Sequence, residues 1–238
     1  MGSVLKESEV NIEIRQAAPA DAPSISAIKQ AVWPSESPKN QAYIADVIAL
    51  PDHATHLAFV EGTPAGFVDG FMTYTLEGLP RWEVDLLAVH PDFRGKGIAA
   101  QLVALSTETG KARGANFARG LVEIENIASQ RTFARCGYTL EDEHHALMVG
   151  SELLIDVLIL PPENTLLTAV QTINYRGIWI EGAYQKNSFL AGQVLCTQHA
   201  WDLTGAVIPN SDTTALQIAQ ELEFTLIGHY QWWKRSLV

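Results

Sequence analysis

The sequence predicts an α/β fold with a mixed, largely antiparallel central sheet flanked by helices. Three observations carry this. Short apolar, strand-like runs interleave with segments of helical periodicity along the whole chain. Two of those runs flank Glu61-Gly62-Thr63-Pro64, as the arms of a hairpin would. A third, Trp82–Val89, ends at His90-Pro91 in a glycine-rich basic turn, Arg94-Gly95-Lys96-Gly97, and a helical pattern (Ile98, Leu102, Leu105) starts at once.

Asn11–Arg15 reads as the first strand. Asp21 is placed to cap a helix whose inner face is Ile25, Ile28 and Val32. Pro38 opens a second helix, with Tyr43, Ile44, Val47 and Ile48 inward, and Pro51 stops it. His56–Val60 and Gly66–Tyr74 are the hairpin strands. After Trp82–Val89 come helix Ile98–Thr109, closed by Gly110, strand Ala115–Val122, helix Ile127–Arg135, and strands near Tyr138–Leu140 and Ala146–Val149. His144-His145 falls between those two strands and reads as exposed. Leu153–Leu160 is a dense apolar strand ended by Pro161-Pro162. Helix Thr165–Asn174 follows (Leu166, Val170, Ile173), then strands near Gly177–Ala183, Ala191–Cys196 and Gly205–Ile208. Helix Thr213–Leu222 and strand Phe224–Trp233 complete the chain.

These elements divide into a loose tail (1–9), a first domain (10–150) and a smaller C-terminal α/β domain (151–238). The second domain reads as a degenerate half repeat. Asp212, Ala215, Glu223, Phe224, Thr225 and Leu226 align with Asn126, Ser129, Gly137, Tyr138, Thr139 and Leu140 at a constant offset of 86. The alternative is that any helix-to-strand turn could show the match.

Composition narrows the function. With 47% apolar and 18% charged residues the chain can bury a full core and is not a long disordered segment. Net charge is −11 and no basic stripe exists, which argues against nucleic acid as partner. Cys136 and Cys196 form no C-x-x-C and have no His at ligand spacing, so reduced thiols and a cytoplasmic location are expected, with no metal. No apolar run reaches the length of a membrane span, and no secretory leader precedes the first strand. His53 and His56 lack a third ligand in view, and no G-x-S-x-G elbow supports hydrolase chemistry.

A strand, glycine loop and helix start aim several backbone N–H groups at one spot, where the helix dipole adds positive potential suited to phosphate. Gly95 and Gly97 permit the tight turn and a close approach. Gly95-Lys96 is followed by Gly97 rather than Ser or Thr, which excludes the nucleotide-hydrolase P-loop. The dinucleotide fingerprint fails too, because Ala100 stands at its third glycine. What remains is Arg-x-x-Gly-x-Ala at Arg94, Gly97 and Ala99. A second segment spaces Asn126, Ser129, Phe133, Gly137 and Tyr138 behind a short strand.

With these two motifs, residues 10–148 resemble the GNAT superfamily of acyl-CoA-dependent N-acyltransferases. The resemblance implies acetyl-CoA or a similar acyl-CoA as co-substrate and a primary amine of a small molecule or peptide as acceptor. It leaves a homodimer open. The backbone of Leu87, Ala88 and Val89 would take the pantetheine arm. Gly95, Gly97, Ile98 and Ala99 would give N–H groups to the pyrophosphate, and Arg94 and Lys96 would offset its charge. Asn126 and Ser129, with Phe133, would lie along the arm, though Asn126 could simply cap its own helix.

Strict alternation along Trp82–Val89 puts Glu83, Asp85, Leu87 and Val89 on one face. A carboxylate among apolar neighbours gains basicity. Glu83 matches the family's general base by spacing, and Asp85, one step nearer the loop, is second. The alternative is that either one pairs with a buried Arg. Phe133 departs from the family pattern, which often has a Tyr there to protonate the leaving thiolate. That departure favours the rival function, a non-catalytic acyl-CoA-binding or scaffolding protein. After residue 150 no second Arg-x-x-Gly-x-Gly/Ala occurs, so one pyrophosphate loop per chain is expected.

Overall fold

A computed structural model describes residues 11–37, 39–151, 153 and 158–238. The first half runs β1 (Ile12–Gln16), α1 (Ala22–Val32), α2 (Gln41–Ile48), β2 (His56–Val60), β3 (Thr63–Tyr74), β4 (Pro80–Val89), α3 (Ile98–Ala112), β5 (Phe117–Glu123), α4 (Ile127–Arg135) and β6 (Thr139–Gly150). The second runs β7 (Thr165–Gln171), β8 (Arg176–Gly182), α5 (Lys186–Gln198), β9 (Leu203–Pro209), α6 (Thr213–Glu221) and β10 (Thr225–Ser236).

All ten strands form one sheet, in the order β1-β2-β3-β4-β5-β10-β6-β9-β8-β7. Only β4–β5 and β8–β9 are parallel. The two halves therefore exchange strands at the centre. β10 lies between β5 and β6, while β6 lies between β10 and β9.

The repeat is visible in the element boundaries. Shifted by 86 residues, β5 falls on β9, α4 on α6 and β6 on β10, each at both ends. The helix caps coincide as well. Asn126 Oδ1 accepts from the Ser129 N–H and Asp212 Oδ1 from the Ala215 N–H. The β3–β4 hairpin has its counterpart in β7–β8, and α3 in α5.

Three apolar clusters hold the layers together. One packs α3 and α4 on the sheet through Trp82, Leu102, Phe133 and Tyr138. The second joins α1 and α2 to β2–β4 and includes Ile173, from the β7–β8 turn of the other half. The third lies under α5 and α6, around Phe189 and Phe224.

Several expected elements differ. Thr165–Gln171 is a strand, not part of a helix. Its spaced apolar residues serve different ends, since Val170 is in the strand and Ile173 in the turn beyond it. The segment around Ala191–Cys196 is helical. α5 packs on β8 and β9 beside α6, and Ser151 and Leu153 hydrogen-bond to its Gln193 and Thr197, so Phe189, Ala191, Gly192, Val194 and Cys196 are all buried and amphipathic periodicity is lost. The two strands expected at 138–149 are one strand, β6, and within it His145 is buried. α3 runs through Gly110 rather than ending there. A Cβ at Gly110 would lie 2.3 Å from the Trp82 ring, so the glycine gives room for the indole. The turn falls at Gly114, in the left-handed region at φ 88°.

α2 starts at Gln41 because Asn40 caps it by accepting from the Ala42 N–H. Pro38, the tail and most of Leu153–Leu160 lie outside the described residues, and residues 158–160 carry no regular element.

Candidate active site

β4 and β5 pair only from Arg81–Glu83 against Phe117–Arg119. β5 stays paired with β10 on its other edge along its whole length, and among the described residues no strand lies against the β5-facing edge of β4 from Val84 to Val89. A V-shaped opening results. Its upper arm carries Leu87, Ala88 and Val89 and leads straight into the Arg94–Gly97 loop and the start of α3.

Gly95 (φ 80°) and Gly97 (φ 78°) are left-handed, and a Cβ on either would meet no atom within 4 Å. The glycines are there for the backbone conformation, and the space before them is open. Among the described residues, none of the N–H groups of Gly95, Lys96, Gly97, Ile98 and Ala99 donates to a loop or side-chain acceptor. The first N–H groups of a helix have no partner within it. Arg94 lies over the loop with its Nε 3.3 Å from the Val89 carbonyl, and Lys96 is exposed.

β4 carries a bulge. Val68 pairs with Leu87 but Gly70 with Val84, so Asp85 and Leu86 together oppose Asp69. The bulge breaks the strict alternation expected from the sequence. Before it, Trp82 and Val84 pack toward α3; after it, Leu87 and Val89 do, while Leu86 and Ala88 pack toward α1 and α2. Glu83 and Asp85 therefore do not share a face with Leu87 and Val89.

The two carboxylates have opposite surroundings. Glu83 is buried in a charge network. It accepts from Arg119 Nε (2.8 and 3.0 Å) and from Thr73 Oγ1 (2.6 Å), and lies 2.8 Å from Arg81 Nε. Arg81 and Arg119 both also hold Glu181 of β8, and Trp232 stacks on the Arg119 guanidinium at 3.9 Å. This is the buried-Arg pairing that the sequence left open as the alternative for Glu83.

Asp85 has no ion-pair partner among the described residues. It is partly accessible to solvent but its carboxyl is ringed by protein. That desolvation, with the nearby Asp69 charge, pushes it up to about 7. Asp69 is fully buried, 3.1 Å from His53 Nδ1, and accepts from Thr55 Oγ1 at 2.8 Å. Burial opposes a charge on His53, but the Asp69 carboxylate outweighs it and raises the histidine above its ordinary value.

The second half reaches this site, through residues that the sequence did not single out. His53 stacks on Phe71, Phe71 touches Trp179, and Trp179 Nε1 donates to the Tyr175 hydroxyl at 2.8 Å. Tyr43 of α2 donates to the Thr172 carbonyl at 2.7 Å. The β7–β8 turn thus closes over α1 and α2. Taken as a helix, that segment gave no signal of this in the sequence.

On the other side of the opening, Phe133 fills the space above Gly120, where a Cβ would lie 2.5 Å from its ring. It meets Tyr138 edge-on at 4.9 Å. The Thr107 hydroxyl donates to the Val103 carbonyl, so Tyr138 must be the donor in its 2.6 Å contact with Thr107. Tyr138, the tyrosine whose ring meets Phe133 among the described residues, has its proton committed. In the second half, residues 183–185 replace the long 90–97 loop, and Tyr184 donates to the Val207 carbonyl across the mouth of the β8–β9 pair. That opening is plugged by the chain itself.

Among the described residues, a glycine loop at a helix start, ahead of a splayed parallel pair, in a two-part strand-exchanged sheet, defines an α/β protein with a phosphate-accepting loop beside an open strand edge. The profile of the acetyltransferase (GNAT) family matches residues 22–138. The first half of the chain thus carries a GNAT acetyltransferase domain. It is similar to aminoglycoside N(6')-acetyltransferase type 1 of Serratia marcescens, with 28% identity over 118 residues, 47% of this chain and 81% of that protein. Two solved structures match nearly end to end. A tandem GNAT protein from the clavulanic acid biosynthesis pathway gives a TM-score of 0.58 at 12% identity, over 96% of this chain and 99% of that one. A GCN5-related N-acetyltransferase from Sphaerobacter thermophilus gives 0.58 at 14% identity, over 95% and 96%. Both likenesses are of fold, and both extend across the second half.

Proposed function

We propose that the protein moves an acetyl group from acetyl-CoA to a primary amine of a small molecule, with residues 10–150 holding the donor and residues 151–238 completing the acceptor cleft. The observation that carries this reading is the row of unclaimed N–H groups at Gly95–Ala99 beside the splay of β4 and β5. A pyrophosphate takes those donors, and the pantetheine arm lies along the free edge at Leu87–Val89 as an added strand would. The likeness to an aminoglycoside acetyltransferase supports a small-molecule amine over a protein.

The carboxylate we assign as base is Asp85, with Glu83 a positioning residue. A base needs a free lone pair and a pKa near the working pH. Glu83 spends its oxygens on two arginines and a threonine, whereas Asp85 titrates near 7. Asp85 takes a proton from the acceptor ammonium. The freed lone pair attacks the thioester carbonyl carbon, a C–N bond forms, the C–S bond breaks, and the nitrogen gives up its second proton to solvent. Phe133 has no proton to give and Tyr138's is committed, so the thiolate takes its proton from solvent.

Phe133 also favours the second reading, a non-catalytic acyl-CoA-binding protein. Titration with acetyl-CoA, followed by thiol release with a panel of amines, separates the two. One acetyl-CoA per chain with amine-dependent release supports the enzyme. Binding without release to any amine supports the binding protein, and no binding contradicts both.

A further inference from the structure

We propose that the acceptor amine also bears a carboxylate, held by Lys29 and Arg176 on the seam between α1–α2 and the β7–β8 turn; this rests on the acetyltransferase reading above and names the substrate class within it. Lys29 projects from α1 and is only 8% exposed. Its hydrogen-bond partner is neutral, the side-chain oxygen of Asn174 in the β7–β8 turn. Among the described residues, no carboxylate lies within 4 Å of its ammonium.

Arg176, two residues beyond Asn174, has its guanidinium 5.7 Å above the Tyr43 ring. It makes no ion pair among the described residues, and its buried Nε has no hydrogen-bond partner. Lys39 lies on the same ring at 5.5 Å. Two carboxylates act on Arg176 and Lys29 without pairing with their side chains: Asp202 holds Lys39 at 3.3 Å and accepts the Arg176 backbone N–H at 3.0 Å, and Glu36, exposed beside the same cavity as Lys29, attracts Lys29 without an ion pair.

A cation taken out of water without a counter-ion is costly, and so is a buried donor left unpaired. Lys29 lines a shallow cavity with Trp33, Glu36 and Lys39, and Arg176 lies over the same Tyr43 ring as Lys39. Asp85 acts on Lys29 electrostatically but is too far to pair with it. The carboxylate at the proposed transfer point therefore stands within electrostatic reach of Lys29, whose ammonium has no ion pair among the described residues. An amino acid presents the matching charges: an amine for Asp85 and a carboxylate for Lys29 and Arg176. A polycationic acceptor would meet repulsion at the seam.

The test compares glycine, β-alanine and 4-aminobutyrate with their carboxamides as acceptors, by kcat/KM at one pH. Loss of a charge-assisted pair at a partly buried site is worth about 10- to 100-fold, so at least one acid should exceed its amide by that factor. Lys29→Met and Arg176→Gln should bring the ratio toward one, and Lys29→Arg should keep most of it. Acetyl-CoA titration shows that each variant is folded. Equal use of acid and amide by the wild type overturns the inference while leaving the acetyltransferase reading intact. So does an unchanged ratio in both charge-removing variants. If acetyl-CoA binds and neither these acceptors nor plain alkylamines are acetylated, the acetyltransferase reading itself fails.

Discussion

Replacing Asp85 with Asn should slow acetyl transfer and stabilise the fold at the same time. The side chain keeps its size but loses the proton acceptor, so turnover should fall by about 10²–10⁴ while acetyl-CoA affinity stays. The stability change follows from the same environment. Asp85 is raised from 3.8 to about 7 in the fold, and each unit is worth about 1.4 kcal/mol, so ionised Asp85 costs at most about 4 kcal/mol. The sign is fixed by the direction of the shift. The protonated form is favoured in the fold, so no cost is present below the unfolded value. The cost grows as pH rises and is complete above about 7. Asp85→Asn should therefore raise Tm by roughly 10 °C at pH 8, a gain shrinking toward pH 4. The assays are thiol release across pH and thermal melts at both ends of that range. Wild-type kcat/KM should rise through an apparent pKa near 7, and the variant should lose that acidic limb. A variant with wild-type turnover, or one whose Tm gain is the same at pH 5 and pH 8, would refute the reasoning.

Gly97→Val forces a branched residue into a left-handed turn against the phosphate site, so acetyl-CoA binding should weaken at least tenfold in a folded protein; calorimetric titration measures it. Glu83→Gln removes one of two acids shared by buried Arg81 and Arg119, and should cost about 3 kcal/mol in denaturant unfolding. Phe133→Tyr supplies a hydroxyl near the departing sulfur, and should raise kcat if thiolate protonation is slow; an unchanged kcat would show that solvent already suffices. Because Tyr184 plugs the second opening, titration should give one acetyl-CoA per chain, and a stoichiometry of two would falsify that assignment.

The sequence made the first half legible where local chemistry dictated the outcome. The apolar run, the paired glycines and the helix start at Ile98 sit in the structure where their pattern put them. Asn126 and Asp212 announced the same cap at a spacing of 86, and with it the repeat. What failed did so for tertiary reasons. Gly110 looked like a helix stop, but its missing Cβ serves Trp82. α5 looked like a strand because both its sides are buried. The bulge at Asp85–Leu86 depends on a partner strand, so alternation alone could not reveal it. The spacing to Val89 that ranks Glu83 over Asp85 carries no information on what surrounds either side chain. The arginines that hold Glu83 come from β4 and β5, and their fourth member, Glu181, is some hundred residues away in sequence. The contribution of the β7–β8 turn to the cleft was hidden for the same reason.

The most direct test of the account is a single reaction followed by two readouts. Acetyl-CoA and a primary amine are mixed with the protein, free thiol is measured by absorbance, and the amine is weighed by mass spectrometry. The account predicts thiol and acetylated amine in equal amounts, at a rate that rises through pH 7 with the ionisation of Asp85. Thiol release with no acetylated amine, or no release from a protein that binds acetyl-CoA, would contradict it.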